Sequence, residues 1–385
     1  MKNQFVFLFL FFTPFNIYSQ TIPGINNLID NKLDLLKNKN IGFITNHSGL
    51  TKEGEKSWKA LNDFNNITIS KLFSPEHGFL GEFADGEKID YAKIDSLPKL
   101  YSLYGKTKKP TSEMFSDLDL IIYDIQDIGA RFYTYISTLG YCMEKAAEMN
   151  IDFIVLDRPN PNGSYIDGPV LEKEYKSYIG MHEIPIVHGC TVGELALMIK
   201  GEKWIKNSEK LNLKVIPILN WDHTMEYKLP IKPSPNLPNQ QSILLYPSLC
   251  LFEQTVVSIG RGTNFPFQVI GHPKSDIKNF SFIPRSMKAE SKPKFENIKS
   301  YGIDLRNHDV EKKLEIKFLM DFYNDLKSDD EDFFGKNFNF ISGNNQFQNQ
   351  IKSGLSEKEI RSSWKKGIEK YKLMRKAYLL YKDFE

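Results

Sequence analysis

Apolar residues along the chain gather in short runs, and each run gives way abruptly to a polar cluster. Ile41-Gly42-Phe43-Ile44 is followed by Thr45-Asn46-His47-Ser48-Gly49. Thr68 to Phe73 stops at Ser74-Pro75-Glu76-His77-Gly78, because Pro75 has no N–H to donate and turns Ser74 away from helix. Leu118 to Ile125 ends in Gln126-Asp127-Ile128-Gly129-Ala130-Arg131, Ile151 to Leu156 ends in Asp157-Arg158-Pro159-Asn160, and Leu213 to Leu219 is a fifth run. Runs this short and apolar throughout read as strands covered on both faces.

Between the runs the apolar spacing changes to three and four. Ile25 to Leu36 and Thr138 to Met149 carry helical stripes, and Thr191-Val192-Gly193-Glu194 is a capping box ahead of Leu195, Met198 and Ile199. Strands alternating with helices predict an α/β fold: a Rossmann-like, doubly wound, mostly parallel sheet. The carboxyl-terminal third reads differently. Phe280 to Leu305 suits exposed antiparallel strands, residues 310–327 look helical, and Ser356-x-x-Glu359 caps a helix with Ile360, Trp364, Ile368 and Tyr371 on one face. A boundary is expected near 270, giving a Rossmann-like catalytic domain over 20–270 and a smaller α/β domain over 271–385.

The first nineteen residues stand apart. Lys2 precedes an apolar stretch from Phe5 to Phe15, and Ile17-Tyr18-Ser19 offers a small residue for cleavage. This reads as a secretory signal peptide, so the mature protein begins near Gln20 and is exported, to a periplasm or beyond the cell. The stretch is too short for a comfortable membrane span, and no cysteine follows it to carry a lipid. No stable membrane insertion is expected after cleavage. Oligomeric state is not readable.

A net charge of +2 over 385 residues leaves no electrostatic footprint for nucleic acid. Cys142, Cys190 and Cys250 are odd in number and widely spaced, which points to buried free thiols.

In a doubly wound sheet all parallel strands aim their carboxyl ends at one edge, where such folds bind ligands. The strand-end clusters should therefore meet: Asn46 and His47; Glu76 and His77; Asp127, Arg131 and Tyr133; Arg158 and Asn160. His188, close to the Thr191 helix start, Asn236 in the rigid Lys232-Pro233-Ser234-Pro235-Asn236 loop, and Arg261 between Gly260 and Gly262 are further candidates. No cofactor is expected. The segment after the first strand lacks the dinucleotide Gly-x-Gly-x-x-Gly, and there is no phosphate loop or nucleophile elbow. His182, Glu183 and His188 lack the i, i+4 helical spacing of a metalloprotease, and Pro185 would break the helix, so no metal is expected.

Carboxylates with Asn, His, Arg and Tyr suit carbohydrate chemistry. Glycoside cleavage needs a carboxylic acid to protonate the leaving oxygen and usually a second acidic group. Glu76, between Pro75 and an apolar strand, is the expected acid, since a carboxyl partly withdrawn from water can hold a proton near neutral pH. Asp127 is the expected second carboxylate. Asp124 is read as facing sheet or solvent. Arg131 either neutralises Asp127 or contacts substrate.

These strings together resemble the NamZ-type exo-β-N-acetylmuramidases. The resemblance rests on Ser74-Pro75-Glu76-His77-Gly78-Phe79, the run from Asp124 through Arg131-Phe132-Tyr133-Thr134-Tyr135, Asp157-Arg158-Pro159-Asn160-Pro161, His188-Gly189, Pro233-Ser234-Pro235-Asn236 and Gly260-Arg261-Gly262-Thr263. It implies an active site in a cleft between a Rossmann-like domain and a smaller one, and Glu76 as the catalytic glutamate. It also implies release of N-acetylmuramic acid from the non-reducing end of peptidoglycan fragments. Leu80 and Cys190 depart from the family's usual Arg and Met, and Leu80 bears on preference for the lactyl carboxylate. Two routes fit: one assisted by the substrate's acetamido group, steered by Asp127, and one that inverts, with Asp127 as base for water. A non-catalytic peptidoglycan-fragment binder and an exported hydrolase of another N-acetyl sugar are the alternative functions.

Overall fold

The computed structural model describes residues 20–81, 98–105, 107–327 and 332–385. The expected signal peptide, 1–19, lies outside them. Six strands form the main sheet: β1 (Asn40–Thr45), β2 (Thr68–Ser74), β3 (Lys99–Ser102), β4 (Leu120–Asp124), β5 (Asp152–Leu156) and β6 (Leu213–Ile216). Their order is β3-β2-β1-β4-β5-β6, and every neighbouring pair is parallel. This is the doubly wound order, reversing between β1 and β4.

Side-chain alternation explains why both faces are covered. In β4, Ile121 and Tyr123 join the core on one face, and Leu120 and Ile122 the core on the other. Phe153 and Val155 of β5 oppose Ile154 and Leu156 in the same way. The helix Tyr135–Met149 packs on the first face, and the helix Gly24–Asn31 contributes Ile25 and Leu28 to the second.

The sequence-based expectation differs from the structure in three places. β6 ends at Ile216 instead of running to Leu219, because Pro217 cannot donate to the ladder. The first helix stops at Asn31, and a separate 3-10 turn covers Leu33–Leu36 after Lys32 leaves helical geometry at φ −140°. β3, an edge strand of four residues, carries no apolar run and was not foreseen.

A second, smaller sheet joins β7 (Val269–His272), β8 (Phe280–Phe282) and β9 (Ser300–Asp304), antiparallel in the order β7-β9-β8. β7 contains the Gly271-His272 punctuation at which the boundary is expected, and pairs forward with β9. Both expected capping boxes form, at Thr191 and at Ser356. Phe252, Phe322, Phe338 and Trp364 from this half pack into the same core cluster as the β4 residues Ile121 and Tyr123. Cys142, Cys190 and Cys250 are free and buried.

Candidate active site

The turn after β2 delivers the central carboxylate. Pro75 ends the strand, Gly78 N–H donates to Pro75 O at 3.1 Å, and His77 and Gly78 both take positive φ, +64° and +74°. A histidine in the left-handed region is uncommon, and such geometry gathers at functional sites. The turn leaves Glu76 half-buried on the wall of a cavity of about 150 Å³. Its Oε2 is 2.5 Å from the Thr134 hydroxyl, which donates to it from the loop after β4.

Tyrosines make the floor. Tyr133 and Tyr135 meet edge to face at 4.7 Å between ring centres, and Tyr133 meets Tyr246 at 5.8 Å. Both the Tyr133 and the Tyr135 hydroxyls donate to Pro233 O, at 3.1 and 3.3 Å, which pins the proline-rich loop above them. Burial raises the pKa of the Tyr133 hydroxyl, with Tyr135 and the Asp127 charge adding to it, so the donor stays protonated.

The later half of the chain supplies the facing wall. Arg261 donates from Nε and Nη2 to Glu253 Oε1 at 2.9 and 2.5 Å, with Glu290 at 3.6 Å from Nη1. Its guanidinium lies 5.3 Å from the Phe267 ring centre. Asn236 Nδ2 donates to Ala289 O at 3.2 Å.

Glu76, His77, Tyr133, Asn236 and Arg261 therefore share one cavity. The remaining candidates are buried behind its walls. Asn46 Oδ1 accepts from Ser48 N–H and hydroxyl. His47 meets Lys232 O through Nε2 at 2.8 Å, and burial pushes its imidazole down to about 4. Asp127 accepts Gly129 N–H at 2.8 Å and sits 3.6 Å from His188 Nε2. Asn160 donates to Cys190 O.

Three expectations need correction. Arg131 forms no pair with Asp127 and does not line the cavity; its guanidinium donates to the carbonyls of Pro169, Ile184, Ile341 and Ser342, locking the β4 loop to the later half of the chain. Asp124 faces neither solvent nor an empty sheet surface, because Arg158 holds it in a buried ion pair. Arg158 is correspondingly spent inside the fold and does not reach the cavity. Leu80 is exposed and outside the cavity lining.

Thr134, Tyr246 and Glu253 belong to the cavity and were missed. Thr134 was legible only as part of the quoted loop string. Tyr246 and Glu253 sit in and just after the helix Gln240–Leu249, with no motif around them.

Residues 41–241 match the family model for the N-terminal part of exo-β-N-acetylmuramidase NamZ, and residues 244–381 the model for its C-terminal part. The chain is 38% identical, over 93% of its length and 91% of the relative's, to the peptidoglycan β-N-acetylmuramidase NamZ of Bacillus subtilis strain 168. Crystal structures of two DUF1343 family proteins from Bacteroides fragilis NCTC 9343 share the fold. One is 41% identical with a TM-score of 0.86, over 95% of this chain and 100% of that one. The other is 31% identical with a TM-score of 0.79, over 94% and 99%. With both family models matched end to end across its two halves, the chain belongs to the exo-β-N-acetylmuramidase NamZ family of glycoside hydrolases.

Proposed function

We propose that this chain releases β-linked N-acetylmuramic acid from the non-reducing end of peptidoglycan fragments, with Glu76 as the general acid. The observation that carries the reading is Glu76 itself: a half-buried carboxyl on the wall of a compact, tyrosine-floored cavity, with a hydroxyl as its hydrogen-bond partner. The activity named for the Bacillus subtilis relative supports the substrate class. Aromatic faces suit the apolar face of a pyranose.

In this reading Glu76 protonates the leaving oxygen, and His77, Tyr133, Asn236 and Arg261 contact the sugar. Asp127 acts from behind Tyr133, holding the Gly129 turn that shapes the floor. Asn46, His47 and His188 hold the surrounding loops. The first nineteen residues support export.

The test is turnover of a chromogenic β-N-acetylmuramide beside the matching N-acetylglucosaminide. Release from the muramide alone is the expected result. Binding without turnover refutes catalysis, and turnover of the glucosaminide alone refutes the substrate. Export is tested by the mass of the cell-envelope and medium forms, expected to begin at Gln20.

A further inference from the structure

The cavity holds a second carboxylate that no strand end supplies. Glu253 lies in the turn Cys250–Gln254, in the half of the chain that faces Glu76 across the floor. Asp127, by contrast, is 3% exposed and outside the cavity lining. A reaction needing two acidic groups in contact with the sugar has Glu76 and Glu253 available in this cavity.

The two carboxylates share the cavity with the tyrosine floor. Burial is the main reason the Tyr135 and Tyr246 hydroxyls are hard to ionise, but Glu76 adds to the effect at Tyr135 and Glu253 adds to it at Tyr246. Between those rings lies Tyr133, 4.7 Å from one and 5.8 Å from the other. Glu76 and Glu253 reach this one cavity from different elements, the turn after β2 and the turn after the helix Gln240–Leu249. Their partners differ as well. Glu76 meets a neutral hydroxyl, while Glu253 is ion-paired with Arg261, the state a proton acceptor needs. Both Arg261 contacts fall on Oε1. Among the described residues none hydrogen-bonds Oε2, which leaves that oxygen for a water.

We infer that Glu253 is the general base of an inverting hydrolysis, taking a proton from the water that attacks the anomeric carbon while Glu76 protonates the leaving oxygen. The water oxygen bonds to C1 and its proton passes to Glu253 Oε2. The C1–O glycosidic bond breaks, its electron pair stays on the leaving oxygen, and the Glu76 proton joins it there. Glu253 is left protonated and Glu76 ionised, and exchange with solvent resets both. Arg261 is the positioning residue that fixes Oε1 and so aims Oε2.

The inference rests on the hydrolase reading, and its test separates the two. The anomer first released from the β-glycoside is followed by proton NMR, on whichever chromogenic sugar the protein cleaves. The α-anomer is expected. A β-anomer overturns the base role and leaves the hydrolase reading intact; cleavage of neither sugar overturns both. In Glu253→Ala, azide is expected to restore turnover at least tenfold with an α-glycosyl azide as product, which a merely structural loss of the Arg261 partner does not produce. A folded Glu253→Ala that azide does not rescue assigns the base elsewhere and overturns the proposal. Should that variant not fold, Glu253→Gln keeps the shape, and a kcat within a fewfold of wild type overturns it equally.

Discussion

Arg158 grips Asp124 across the ends of β4 and β5, with Nε and Nη2 at 2.6 and 2.9 Å from the two carboxylate oxygens. The same guanidinium also donates to Leu50 O in the loop after β1 and to the Ser57 hydroxyl at the start of the helix Ser57–Asn62. These contacts tie the strand ends together where the doubly wound order reverses, a place such folds often leave open for a ligand. The cavity forms to one side instead, between the loops after β2 and β4 and the later half of the chain. The pair is almost fully buried, 4% and 0% exposed. Removing one partner strands a buried charge, so Arg158→Met or Asp124→Asn should cost about 3–5 kcal/mol. Urea unfolding checks this, and the double variant should cost less than the sum of the singles. KM should not move.

Arg131 makes the equivalent tie between the β4 loop and residues 341–342. Four carbonyls take its protons. Lysine offers a point charge instead of a planar fork and cannot serve them all. Arg131→Lys is expected to lower stability by about 2–4 kcal/mol through carbonyls left unpaired in the interior. The thermal midpoint should fall while KM of the remaining folded enzyme stays put; a raised KM at unchanged stability would instead mean that Arg131 touches substrate.

How much of this was legible follows from the physics of each signal. Burial on two faces writes itself as an apolar run, so β1, β2, β4 and β5 were readable, and the Thr191 and Ser356 caps announce themselves through side chains three residues apart. Of the polar strand ends, Glu76, His77 and Tyr133 reach the cavity. What sequence cannot say is whether converged polar groups face a ligand or one another: Arg158 and Asn160 look like site residues and spend their donors inside the fold, and Asn46 spends its carbonyl oxygen on Ser48. Glu253 and Tyr246 were illegible for the opposite reason. Their wall is built by long-range packing of an apolar helix and the turn after it, and nothing local distinguishes a glutamate there from a solvated one.

His47 gives the fold an acid sensitivity with a definite sign. Burial depresses its imidazole from 6.5 to about 4, despite the bond to Lys232 O. The unfolded chain therefore binds the proton first, so the stability His47 contributes is complete above pH 6.5 and is lost as pH falls toward 4. By linkage that loss amounts to about 3 kcal/mol. His47→Gln should flatten this part of the pH dependence in urea titrations at pH 7, 5.5 and 4. An unchanged slope would mean the ring is already charged in the folded protein.

The floor makes a separable prediction. Tyr133 presents its ring to the cavity and only its hydroxyl to Pro233. Tyr133→Phe removes one neutral hydrogen bond, a cost of about 1 kcal/mol in stability, and should leave KM nearly unchanged. Tyr133→Ala removes the platform, and losing about 1.5–3 kcal/mol of apolar contact should raise KM roughly ten- to a hundredfold. Equal kinetic effects from the two variants would show that the hydroxyl, not the ring, meets the sugar.

The catalytic assignment turns on Glu76 and its partner Thr134. Glu76→Gln keeps the volume and the hydrogen bond but has no proton to give, so kcat should fall about 10²–10⁴-fold while circular dichroism and thermal midpoint stay near wild type. Substrates whose leaving group needs no proton should escape most of that loss, because departure of an acidic phenol does not depend on the acid. Thr134→Val tests how the carboxyl is held. The valine fills the same space without the hydroxyl that stands 2.5 Å from Oε2, so kcat should drop about tenfold at unchanged KM, and Thr134→Ser should restore it. If Glu76→Gln loses as much on an acidic-phenol substrate as on a natural fragment, the residue binds or shapes the cavity instead of donating the proton. Uniform loss of that kind would move the acid to another side chain.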